Sequence, residues 1–132
     1  MVEPDLIVEW LNKADEDFNF ATSIIKESTY YAQICDHFHQ AAEKYLKAYI
    51  IANTLPFKKI HDLLTLLKTS LDANPDLKVI REDCRFLNRY YIDTRYPVHW
   101  PTSYTKEEAY EAKEACERIR EVIKKSLMPF TS

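Results

Sequence analysis

The chain has 132 residues, a length suited to one domain with a sizeable core, and its 46% hydrophobic and 30% charged composition is that of a folded globular protein. Its net charge of −3 at pH 7 excludes a protein that coats duplex DNA by bulk charge, so any nucleic-acid contact has to be local. It contains no glycine, which excludes phosphate-cradling and dinucleotide-binding loops built on that residue.

Met1-Val2-Glu3-Pro4-Asp5 lacks the basic-then-apolar pattern of a secretory signal, and no apolar run approaches the roughly 18 residues of a membrane helix. A cytoplasmic protein with no membrane partner is expected. Cys35, Cys84 and Cys116 are odd in number and each falls on the apolar phase of a helix, which predicts reduced core residues. No segment alternates with the two-residue period of a half-buried strand, whereas helical periodicity runs almost throughout. The fold class predicted is all-α: an up-and-down antiparallel bundle of four long helices plus a short additional one, in a single domain over 1–132.

The first helix should start near Pro4, bury Ile7, Trp10, Leu11, Ala14, Phe18, Ala21, Ile24 and Ile25, and leave Asp15, Glu16, Asp17 and Asn19 outside its apolar stripe. A second helix, from Tyr30-Tyr31 to about Asn53, has the widest apolar face and should be central. At 100° per residue its polar side gathers Asp36, Gln40, Glu43, Lys44 and Lys47. His37 and His39, two residues apart, point about 200° from each other and cannot chelate one ion, so no metal site is expected there. Pro56 precedes a short Leu-rich helix from Ile60 to about Leu71. His61 at its start suits a helix-start or satisfied buried histidine. Asn74-Pro75 marks the start of the fourth helix, with Leu77, Ile80, Cys84, Leu87 and Tyr91 on its buried seam and an end near Ile92 or Asp93, ahead of Pro97 and Pro101. Thr105-Lys106-Glu107-Glu108 is a capping box for the last helix, whose stripe is Ala109, Ala112, Cys116, Ile119, Ile123 and Leu127.

Four of the six arginines lie between positions 81 and 95. Arg81, Arg85 and Arg89 recur one turn apart and should form a single outward stripe, with Arg95, Tyr96, His99 and Trp100 just past the helix end. The planar guanidinium fork suits phosphate oxygens, so the clustering points to an anionic partner.

Three blocks, Phe38-His39-Gln40-Ala41-Ala42-Glu43-Lys44-Tyr45-Leu46-Lys47-Ala48, His61-Asp62-Leu63-Leu64 and Leu87-Asn88-Arg89-Tyr90-Tyr91-Ile92-Asp93-Thr94-Arg95-Tyr96-Pro97, resemble in order and spacing the signature of HEPN domains (higher eukaryotes and prokaryotes nucleotide-binding). The resemblance implies a helical bundle that commonly forms a homodimer, often beside a minimal nucleotidyltransferase, in toxin–antitoxin or defence settings in prokaryotes. It also implies that many members are metal-independent ribonucleases with an Arg, four to six residues, then a His. Here Arg95 and His99 are separated by three residues, one of them Pro97, which departs from that motif and matches an Arg-Tyr-Pro branch.

Two function classes follow from these residues. The first is a binding module, with Arg85, Arg89 and Arg95 holding nucleotide or RNA phosphate and Tyr90, Tyr91, Tyr96 or Trp100 stacking on bases, without cofactor or metal. The second is a ribonuclease in which Arg95 and His99 act as the catalytic pair across a homodimer. The spacing favours the first. A purely structural dimer partner, with Tyr90, Tyr91 and Tyr96 as core or interface aromatics, is the third reading.

Overall fold

The computed structural model describes residues 3–95 and 104–131, with residues 91–95 described by their backbone. The described residues form six α-helices and one 3-10 helix: α1 (Pro4–Ile24), α2 (Tyr31–Ala52), α3 (Leu63–Leu71), a 3-10 helix (Pro75–Ile80), α4 (Arg81–Arg95), α5 (Lys106–Ser126) and α6 (Met128–Thr131). The all-α bundle expected from periodicity is what forms, and none of the described helices is long and apolar enough to cross a membrane.

The central position of α2 follows from its sequence. Small residues Ala41, Ala42 and Ala48 are fully buried, so neighbouring backbones approach it closely. It packs against α1, α3, α4 and α5. Phe18 meets Phe38 edge-on at 5.8 Å, and Asp15 meets Tyr45, so α1 runs antiparallel to α2. Asp83 pairs with Arg118 and Arg89 with Glu108, so α4 and α5 are antiparallel too. The core includes Ile7, Leu11, Phe18, Ile34, Tyr45, Leu46, Leu66, Leu87, Tyr90 and Ile119, with all three cysteines buried as free thiols.

Several boundaries differ from expectation. α3 starts at Leu63 rather than Ile60, because the Asp62 carboxylate accepts from the Leu64 and Thr65 amides and caps the helix there. The segment after Asn74 is a 3-10 helix, and α4 proper begins at Arg81. Asn74 still caps the Asp76 amide with Pro75 in the first turn, so the start signal acts on the 3-10 piece. α4 runs to Arg95, two residues beyond the expected end, which makes Arg95 a helical residue rather than part of the following loop. Trp10 and Ile24 are partly exposed. The Thr105 cap on the Glu108 amide is present, at 3.1 Å.

Candidate functional site

α4 carries the chain's arginine cluster, but folding divides it. Arg81 and Arg85 face α3, where with Lys68 they line an open groove of about 330 Å³ floored by Leu64, Leu67 and Leu71. Arg89 turns toward α5 instead, its guanidinium 2.9 Å from Glu108 and lying 4.9 Å from the Phe86 ring and 5.3 Å from the Tyr90 ring. The drift of about forty degrees at every fourth residue around a helix is enough to aim the third arginine at a different neighbour. The single stripe expected from spacing is thus two faces. Arg85 pairs with Glu82 one turn back, at 2.7 Å, with both side chains mostly exposed. Such exposed pairs contribute about 0–1 kcal/mol, so Glu82 does not prevent Arg85 from meeting an anion.

Tyr90, expected as a stacking residue, is fully buried: it packs edge-on against Phe86 and 5.8 Å from Tyr104, with its hydroxyl toward Glu108. A ring with no exposed face cannot stack on a base, so Tyr90 serves the core. Tyr91 and Arg95 occupy the last turns of α4. Tyr96, His99 and Trp100 lie outside the described residues.

A second cluster lies at the junction of α2, α3 and α4. Glu43 and Lys47, assigned by the helical wheel to the polar side of the second helix, are both buried, because α2 is covered on most of its circumference. Their side chains pair at 2.8 Å, and the other Glu43 oxygen lies 2.9 Å from His61 Nδ1. Burial pushes the Glu43 carboxyl up, but hydrogen bonds and charge from Lys47 and His61 outweigh it and hold the group below the usual range. Glu43 is therefore ionised and can only accept, so His61 Nδ1 carries the proton. His61 itself is 41% exposed. Lys47 also lies 5.8 Å over the Phe57 ring, which packs edge-on against Trp10.

The next residue extends the cluster to α4. Asn88 Oδ1 accepts from the Leu63 amide at 2.8 Å and Asn88 Nδ2 donates to the Asp62 carboxylate at 3.0 Å. One α4 side chain thus satisfies both the start of α3 and its cap. A signal for this network is present in the sequence, since Glu43 and Lys47 stand at the i, i+4 spacing that pairs on a helix and Asn88 is a lone amide among arginines and aromatics. Periodicity alone reports faces and cannot show that α3 returns over that one.

Elsewhere, Asp15 accepts from Tyr45, Arg120 and Lys124, and Asp17 from Lys44 and His37. These join α1 to α2 and α5. Among the described residues no group of His, Cys, Asp or Glu could hold a metal ion.

The model of the HEPN domain matches residues 7–127. The chain belongs to the HEPN domain family. Two solved structures share the HEPN fold seen here. TT1696 from Thermus thermophilus superposes with a TM-score of 0.75 at 29% identity, over 90% of this chain and 96% of that one. ST0689, an archaeal HEPN homologue, superposes with a TM-score of 0.74 at 26% identity, over 92% and 97% respectively. No functionally curated protein matches. Within this HEPN domain the three sequence blocks meet in the cluster just described: Glu43 and Lys47 from the first, His61 and Asp62 from the second, Asn88 from the third.

Proposed function

We propose that this HEPN protein is a binding module for the phosphate groups of a nucleotide or single-stranded RNA, acting at the α4 end of the α2–α3–α4 junction. Arg95 is its principal phosphate contact, with Arg85 on the α3 groove and Arg89 toward α5 as further phosphate contacts on two faces of α4 and Tyr91 and Tyr96 as the stacking residues. The observation that carries the reading is the concentration of four of six arginines on α4 of an acidic protein, with Arg95 two helical turns beyond Asn88, about 10 Å along the axis from the cluster. The Arg85 and Arg89 ion pairs are exposed enough to be shared with or exchanged for phosphate. Assembly as a homodimer and pairing with a minimal nucleotidyltransferase in the cytoplasm are part of this reading and rest on membership of the family.

Fluorescence anisotropy with a labelled twelve-nucleotide oligouridylate, and calorimetry with ATP, test it. Wild-type protein should bind at least one probe in EDTA, and Arg95→Ala should weaken that binding about tenfold or more, as expected for loss of one charge-assisted phosphate contact. Absence of binding to both probes contradicts the reading. Cleavage of the oligouridylate that Arg95→Ala and His99→Ala each abolish replaces it with a ribonuclease.

A further inference from the structure

We propose that the groove between α3 and α4 docks an acidic amphipathic helix of a partner protein, its apolar side chains on the leucines and its carboxylates on Lys68, Arg81 and Arg85. The inference goes beyond the phosphate-binding reading and shares only Arg85 with it. Lys68, Arg81 and the leucine floor have no part in that reading.

α3 is apolar on more than its core side. Leu63, Leu66 and Leu67 are buried, but Leu64 and Leu71, two turns apart, stay partly exposed along the edge that also carries Lys68. A surface helix ordinarily turns polar outside its core stripe, and here leucines continue past it. With Leu67 they floor the open groove of about 330 Å³. Arg81 and Arg85 stand on its α4 side, one turn apart, about 6 Å along the axis, and both are exposed. Among the described residues Lys68 and Arg81 have no ion-pair partner, and Arg85 has the exposed Glu82, a pair weak enough to be exchanged.

Three cations around an apolar strip define the occupant: carboxylates for the rim, apolar side chains for the floor. A helix supplies both together, because carboxylates four residues apart repeat at the spacing of Arg81 and Arg85, and an apolar seam at steps of three and four covers the leucines. Nucleic acid fits the rim but not the floor, since bases gain most from aromatic rings and this floor is leucine. The chain's own carboxylate-rich helix does not match either. α5 exposes Glu107, Glu111, Glu114 and Glu121, but none of the large exposed apolar side chains among the described residues lies on it.

The test is fluorescence anisotropy of the full chain with a labelled helical peptide of about sixteen residues, with leucine at steps of three and four along one face and glutamate beside it. Two controls replace its glutamates by lysine or its leucines by serine. Wild type should bind the acidic peptide and neither control, and raising salt from about 50 to 500 mM should weaken the binding several-fold by screening the rim. Arg81→Glu and Lys68→Glu change exposed side chains without ion-pair partners, so their thermal melts should match wild type while each weakens peptide binding about tenfold or more. Arg95→Ala should leave peptide affinity within about twofold, so this inference and the phosphate reading fail separately. Failure of wild type to bind the acidic peptide, or equal binding of the lysine control, overturns the inference. If the peptide does not bind and Arg81→Glu abolishes oligouridylate binding, the groove is a nucleic-acid surface. If the peptide does not bind and Arg81→Glu dissociates a dimer in sedimentation velocity, a second copy occupies the groove. Either result overturns the inference and leaves the reading of Arg95 standing.

Discussion

Asp15 receives hydrogen bonds from Tyr45, Arg120 and Lys124, so one carboxylate joins α1, α2 and α5. Burial pushes its carboxyl up, yet the hydrogen bonds from Lys124 and Tyr45 and the charges of Lys124 and Arg120 hold it below the usual range. Asp15→Asn leaves two cations without their counter-charge and should cost about 1–2 kcal/mol in urea unfolding at pH 7, the partial exposure of the site keeping the figure modest. The sign with pH follows from the lowered native value: the stabilisation is present above the unfolded carboxylate range and is lost as pH falls through the folded one. Wild type should therefore lose stability faster than Asp15→Asn below about pH 4, and a gap that stays constant down to about pH 2 would contradict this account. Periodicity puts Asp15 outside the apolar stripe, which is where a carboxylate at a three-helix seam belongs. It cannot distinguish that seam from open solvent. The cysteines are the opposite case. Their apolar phase predicts burial, and burial is what pushes the Cys35 and Cys84 thiols up to about 12.

Among the elements, the end of α2 shows what a chain without glycine does at a helix terminus. The Leu55 amide bonds to the Ile50 carbonyl and the Thr54 amide to the Ile51 carbonyl, the paired pattern of a Schellman cap. That cap needs a left-handed residue, and Thr54 takes it with φ of 54°. A β-branched residue there is strained by about 1–2 kcal/mol. Thr54→Gly should therefore raise stability by about 1 kcal/mol, with glycine's own entropy cost offsetting part of the relief, and a lower melting temperature would show that Thr54 is not strained. Helix existence and most buried stripes were legible because they repeat over several turns. The starts of α3 and α4 were not, since each is decided by one side chain: Asp62 captures two amides and shortens α3, and the Asn74 cap is spent on a 3-10 turn.

For the whole molecule, the order of the helices and the central place of α2 were readable in the sequence, while the site was readable only as separate pieces. The arginine cluster announces itself by composition, but its division between the α3 groove and Glu108 depends on which helix each residue meets. The Glu43–His61 pair is eighteen residues apart in sequence and Asp62–Asn88 twenty-six, beyond the reach of any local pattern. Folding turns three separate blocks into one junction, and the proposed phosphate contacts lie on α4, one of the helices that meet there. The most direct check is mapping of amide chemical shifts during titration with the twelve-nucleotide oligouridylate. The account predicts that the largest changes fall on residues 61–63 and 88–95. Changes confined to the α1 and α5 faces, around Asp15 and Asp17, would contradict it.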